Sequence, residues 1–275
     1  MNKHQFKSWF FDETAQVLAD GEQEEIFKML LEAYEDLQPL DWMDWNAEGR
    51  DELKWQKAIA ELKTHKPIQQ ILGHAYFFEK AYSVNEHVLI PRPETEELVQ
   101  WIKDEIQQPS QIIDIGTGSA CIAIELALHF PKAQVLGVDI SNEALELAAQ
   151  NAQALEATNV SFEQYDILEQ EKALASFDVI VSNPPYICKD EALENRVLDY
   201  EPHLALFVSN DDPLQFYKAI EKFASRSLAN EGKLFFECHA DHARDVAAYL
   251  EERAWKVVLK RDIYTKERMI KAIRD

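Results

Sequence analysis

The sequence predicts an α/β fold: a sheet with an antiparallel edge strand, preceded by a small helical N-terminal domain. Three observations carry this. Residues 5–72 place apolar side chains at three- and four-residue spacing, the period of an amphipathic helix. From Glu94 onward, short apolar runs alternate with helical stretches, as in a sheet whose strands are joined by crossover helices. The last two strands are separated only by IYTKE, too short for a crossover, so they should pair antiparallel at one edge.

Each element follows in order. FKSWFFDETAQVLA, EQEEIFKMLLEAYEDL and RDELKWQKAIAELKTH read as helices, and Trp9, Phe10, Trp42, Trp45 and Trp55 most simply build the core of a bundle. From Ala75 to Ile90, AYFFEKAYSVNEHVLI changes to strand-like alternation with Asn85-Glu86 as the turn, a β-hairpin linker. The boundaries are then residues 1–74 for the helical domain, 75–92 for the linker and 93–275 for the sheet domain. Strand candidates are IIDIG, QVLGVD, VSFEQYD, FDVIVSN, GKLFFEC, KVVLKRD and RMIKAI; helices are expected at Ser119–Phe130, Asn142–Leu155, Pro213–Leu228 and Ala240–Arg253.

Composition narrows the function. A hydrophobic fraction of 47% over 275 residues supports globular domains with real cores. No apolar stretch is long enough to span a bilayer and the N-terminus lacks a secretory apolar segment, so a soluble, cytoplasmic protein is expected. Cys121, Cys188 and Cys238 form no C-x-x-C pair and should stay reduced. With 28 basic and 50 acidic side chains the formal charge is −22, which disfavours direct nucleic-acid binding, because phosphate contacts draw on Lys and Arg. Oligomeric state is not legible.

The chemistry gathers at strand ends. IIDIG runs into Gly116-Thr117-Gly118-Ser119-Ala120 and a helix, where glycines let the backbone approach a ligand and helix-terminal N–H groups face a phosphate or carboxylate. QVLGVD ends on Asp139, spaced to reach ribose hydroxyls. As a dinucleotide fingerprint the turn fails at Cys121, where Gly or Ala is wanted, so a ligand with ribose but no pyrophosphate fits better. S-adenosyl-L-methionine is such a ligand. The third strand ends on Asp166-Ile167, a polar edge and an apolar face suited to adenine, although Asp166 alone reads equally as a strand-end turn acid.

The fourth strand ends on Asn183-Pro184-Pro185-Tyr186 and should open onto the same crevice as the methyl donor. A planar amide or amino nitrogen is a poor nucleophile because its lone pair is delocalised. Two acceptors, the Asn183 side-chain oxygen and the Pro184 carbonyl, would grip its hydrogens and aim the lone pair, with Tyr186 packed on the planar face. Pro-Pro as a simple strand terminator is the bland alternative.

Taken together, KPIQQILGHAYFF, VLIPRPETEELV, DIGTGSACIA, VDIS, NPPYI, YEPHLALF and RDIYTKERMI resemble the peptide chain release factor N5-glutamine methyltransferases of the HemK/PrmC type, over about Pro67 to Ile270. The resemblance implies a Rossmann-like, seven-stranded, S-adenosylmethionine-dependent methyltransferase domain behind a helical substrate-docking domain. It also implies an acceptor glutamine in the Gly-Gly-Gln tip of class I release factors, and thus a role in translation termination. By position, Gly116 to Ala120 and Asp139 would bind cofactor, Ile167 would lie near adenine, and Asn183 to Tyr186 would hold the glutamine. The segment Ile90 to Glu96 is expected at the cofactor entrance, although Pro93 at a helix start followed by first-turn acids explains it nearly as well. Three departures stand out: Ala120 where the family usually has Gly, tolerable if its φ is negative; Gln70 where it usually has Tyr; and FFECHADH around Glu237 in place of Glu-Ile-Gly.

Other readings rank lower. An N6-adenine DNA methyltransferase could grip a flipped amine the same way. A non-catalytic release-factor-binding protein would keep the fold without turnover, and an NAD-dependent dehydrogenase lacks hydride-transfer residues. His239 and His242 are read as solvent-facing helix positions, not metal ligands, because no third ligand accompanies them.

Overall fold

The computed structural model describes residues 2–35, 37, 51–169, 176–188 and 199–274. The chain divides into two compact units, Met1–His74 with Leu193–Tyr200, and Ala75–Ala192 with Glu201–Asp275.

The first unit is helical: α1 Lys3–Thr14, α2 Asp20–Glu35, α3 Glu52–Leu62 and α4 Ile68–Leu72. Asn2 and Gln5 cap α1 reciprocally, each side chain accepting from the other's backbone N–H at 3.0 Å. Phe6, Phe10 and Phe27 close around the fully buried Trp55, with Phe6 edge-on to it at 4.9 Å. Trp55 donates its indole N–H to Glu35 at 3.1 Å, which satisfies its one polar atom. Trp9 packs at the margin of this core; Trp42 and Trp45 lie outside the described residues. Gln70 is buried and donates from Nε2 to the Tyr200 carbonyl at 2.7 Å, while the Tyr200 hydroxyl donates to the Thr64 carbonyl at 3.0 Å. Gln70 therefore supplies a specific internal bond.

At the start of the second unit, β1 His74–Phe77 and β2 Lys80–Ser83 form a two-stranded sheet. Its turn is Phe78-Glu79, not Asn85-Glu86: both residues are left-handed, at φ 46° and 60°. Neither is a usual turn residue, and tertiary bonds supply the missing signal. Glu96 accepts the Phe78 N–H at 2.8 Å, and Lys103 sits 4.0 Å from the Phe78 ring centroid.

After α5 Pro93–Glu105 comes the main sheet: β3 Gln111–Ile115, α6 Cys121–His129, β4 Gln134–Asp139, α7 Asn142–Ala154, β5 Val160–Gln164 and β6 Phe177–Ser182. A short parallel pair, β7 Ile187–Cys188 and β8 Phe207–Val208, brackets α8 His203–Leu206. Then follow α9 Gln215–Ser227, β9 Leu228–Glu237, α10 Ala243–Glu251, β10 Trp255–Arg261 and β11 Glu267–Arg274. The seven strands run in the order β10-β11-β9-β6-β3-β4-β5. As expected, β10 and β11 pair antiparallel, and β11 is also antiparallel to β9, whereas β9, β6, β3, β4 and β5 are parallel neighbours. Helix ends fall within a few residues of those expected.

Successive residues of the central strands feed opposite cores. Val179, Val181 and Phe235 join one cluster with α5 and α6; Ile180, Leu234 and Phe236 join another with α9 and α10. Burial on both faces is why these strands read as continuous apolar runs rather than alternating ones.

Candidate active site

At β3 the chain connectivity turns in opposite directions, to β4 on one side and β6 on the other, so a crevice opens beyond the carboxyl ends of these strands. Register sets what lies there. Ile115 pairs with Ser182, and the Ser182 hydroxyl donates to the Ile115 carbonyl at 2.6 Å, so Gly116 and Asn183 leave the sheet side by side. The crevice is a cavity of about 410 Å³, in the usual size range for small-ligand sites.

Gly116, Thr117, Gly118, Ser119, Asp139, Asp166, Ile167, Asn183, Pro184 and Pro185 all line it. Two site residues do not. Ala120 is fully buried at the start of α6, and Tyr186 packs against the second core with its ring 5.8 Å from His239. Burial pushes the Tyr186 phenol well above its ordinary range.

The glycine turn is closed largely on itself. Gly116 and Thr117 N–H donate to the Val138 carbonyl at 2.8 and 2.9 Å, Gly118 N–H donates to Asp139 Oδ2 at 2.9 Å, and Ala120 N–H donates to the Thr117 carbonyl at 2.8 Å. These donors serve the turn's shape rather than a ligand's anion; the N–H groups of Cys121 and Ile122, in the first turn of α6, are not among them. Gly116 and Gly118 are left-handed at φ 75° and 54°. So is Ala120, at φ 63°: the condition of a negative φ is not met, and its methyl is held in a conformation that glycine adopts without penalty. Asn151, from α7, braces the turn by donating to the Ser119 carbonyl at 3.0 Å.

Asp139 accepts from Gly118 N–H with one oxygen and from Ser141 N–H with the other, at 2.9 and 3.0 Å. Burial raises its pKa. Below the turn lies an acid that sequence reasoning missed, Asp114, fully buried, which accepts from the Thr117 hydroxyl at 2.7 Å and from the Ala123 N–H in the first turn of α6. Burial pushes it up to about 7. Gly137 in β4 is required for close approach: a Cβ there would meet Phe162 at 2.8 Å and the Thr117 hydroxyl at 2.9 Å.

Two motifs left loosely placed by sequence now meet. Arg92, from IPRPETE, lines the cavity and pairs with buried Glu201, from YEPHLALF, at 2.5 Å; Glu201 also accepts the Ile90 N–H at 3.1 Å. Thr95 lines the cavity from the first turn of α5. Its hydroxyl donates to buried Glu237 at 2.7 Å, and Asn183 Nδ2 donates to the same hydroxyl in a long bond of 3.4 Å. Glu237 is pushed up to about 7 by burial. His239 and His242 are not solvent-facing helix positions: α10 begins after them, and His239 packs between the Tyr186 and His242 rings, at 5.8 and 5.9 Å. Among the described residues no group of three or more His, Cys, Asp or Glu side chains is placed to hold a metal, and no helix is long and apolar enough to cross a membrane.

The doubly wound sheet, with an acid at the end of β4 and an amide just past the end of β6 on one cavity, is the architecture of an α/β methyltransferase. A family described as a methyltransferase domain matches residues 106–268. Over longer spans the chain is 42% identical to the release factor glutamine methyltransferase of Flavobacterium psychrophilum, covering 97% of each chain. It is 41% identical to that of Bacteroides thetaiotaomicron over 80% of each, and 43% identical to that of Lactococcus lactis over 86% of this chain and 88% of the other. The chain belongs to the release factor glutamine methyltransferase family.

Proposed function

We propose that this protein methylates the side-chain amide nitrogen, N5, of the glutamine in the Gly-Gly-Gln motif of class I peptide chain release factors, with S-adenosylmethionine as donor. The observation that carries the reading is the shared wall: Asn183 and Pro184 line the same cavity as Asp139 and the Gly116–Ser119 turn, side by side at the sheet edge. The donor's parts match the lining. Asp139 spends one bond per oxygen on backbone N–H groups and keeps acceptor capacity for ribose hydroxyls. Ile167 offers adenine an apolar face and Asp166 a polar edge, while the glycine turn leaves room for the amino-acid end.

S-adenosylmethionine, when bound, supplies a methyl carbon that the nitrogen takes as one N–H proton is released, leaving the sulfur an uncharged thioether. The chain's own residues do the positioning. Asn183 Oδ1 and the Pro184 carbonyl each accept one N–H of the target amide, which turns its nitrogen lone pair toward the donor side of the cavity. Pro185 keeps residue 184 extended, so that carbonyl stays presented. Orientation of this kind supplies much of the barrier lowering without a strong base. Tyr186, packed away from the lining, holds the end of the Asn-Pro-Pro segment against the core. The helical unit is assigned to docking of the release factor.

Incubation with methyl-labelled S-adenosylmethionine and either a release factor or duplex DNA tests the proposal: label should enter the release factor and be lost when its Gly-Gly-Gln glutamine is replaced. Label entering only DNA would overturn it.

A further inference from the structure

We infer that Thr95 and Glu237 are positioning residues for methyl transfer, a two-bond chain that decides which end of the Asn183 amide faces the acceptor. The inference rests on the reading of Asn183 given above.

An asparagine side chain is nearly symmetrical in shape and opposite in polarity at its two ends, so shape alone does not choose between them. The grip needs Oδ1 toward the substrate; the reversed amide would set N–H against N–H. What chooses is the acceptor at the end of the chain: Glu237, when ionised, takes a hydrogen bond from the Asn183 amide directly, and a single proton carries the same polarity through Thr95. The Thr95 hydroxyl has one hydrogen, committed to Glu237 Oε2 at 2.7 Å. Its oxygen can then only accept along the second direction, so the atom of Asn183 that faces it, at 3.4 Å, has to be Nδ2. Oδ1 is left for the acceptor side. Thr95 and Asn183 both line the cavity, whereas Glu237 lies behind them, 2% exposed. Glu237 therefore acts through the other two and touches no reactant.

The direction of this chain depends on Glu237 being an acceptor. Were its carboxyl protonated, it could donate to Thr95, whose hydrogen would then point at Asn183 and favour the reversed amide. Burial pushes this group up to about 7, against the hydrogen bond from Thr95; Glu94 on α5 pushes it further up, and Arg268 on β11 and the Asn183 amide pull it down. Tyr186, beyond the same segment, stays neutral in this range. The grip should therefore be formed above about pH 7 and lost below it.

Thr95→Val, Thr95→Ser, Glu237→Gln and Asn183→Ala, each checked for thermal unfolding, test this with labelled transfer to a release factor and with S-adenosylmethionine binding by calorimetry. Thr95→Val should lower kcat by roughly tenfold or more with donor affinity within about twofold, and Thr95→Ser should restore most of it. Glu237→Gln, which can donate to Thr95, should be impaired at all pH values and lose the rise in kcat through about pH 7. In an Asn183→Ala background, Thr95→Val should cost little more, because both changes remove one device. Losses that multiply, or Thr95→Val activity equal to the parent, would overturn the inference even where Asn183→Ala is inactive. Full activity of Asn183→Ala would instead overturn the reading of Asn183 on which it rests.

Discussion

The donor side and the acceptor side of the cavity are built in different ways. On the donor side, backbone fixes backbone: the Gly116–Ala120 turn hangs on the Val138 carbonyl, and Asp139 is held by two N–H groups. On the acceptor side, a side chain is aimed by other side chains, Asn183 by Thr95 and Glu237, and Thr95 by Glu237. A backbone-built cradle changes affinity when it is damaged. A side-chain chain carries polarity, and one wrong proton is enough to break it.

The largest test of this contrast is Asn183→Ala, which should lower kcat on the order of a hundredfold or more while leaving donor affinity nearly intact. Asp139→Ala should do the reverse, weakening S-adenosylmethionine binding by roughly ten- to a hundredfold in a calorimetric titration, with a smaller effect on kcat at saturating donor. If both variants lost kcat and affinity together, the two sides would not be separable.

Smaller effects probe the cradle's fit. Gly137→Ala should destabilise the fold by about 1–3 kcal/mol in urea unfolding, since the new methyl meets Phe162 and Thr117 below 3.0 Å. Ala120→Gly should act oppositely, by about 1 kcal/mol or less in favour of the folded state, because φ 63° suits glycine. Asp114 sharpens the same side through pH. Its folded pKa is raised by burial to about 7, so between about pH 4 and 7 the folded chain keeps a proton that the unfolded chain releases. Its contribution to stability falls as pH rises through that window and is level above it. Asp114→Asn, which still accepts from Thr117 but cannot ionise, should gain stability relative to the parent as pH is raised from 5 to 7. An unchanged difference across that range would show that Asp114 does not titrate there.

Backbone-built features were largely legible in the sequence, and side-chain chains were not. Gly116, Asp139 and Asn183 sit one or two residues past an apolar run, and strand period and parallel pairing bring such positions to one edge whatever surrounds them. Thr95 and Glu237 are 142 residues apart, and their bond depends on rotamers that no local pattern records. Phe78-Glu79 escaped for a similar reason, since its left-handed pair is held by Glu96 rather than by turn residues. Ala120 reads locally as an ordinary helix former, and its φ is set by the turn before it. His239 and His242 follow a strand whose last residue, Glu237, ends the ladder before the helix starts, so helical spacing misplaced them.

The bond from Gln70 to the Tyr200 carbonyl spans 130 positions of chain. During synthesis, the helical unit emerges first yet still awaits that carbonyl until most of the sheet's parallel strands have followed it out of the ribosome. A fragment cut after His74 would therefore leave the buried Gln70 amide without this acceptor, and swapping this unit between relatives means carrying over the returning residue as well.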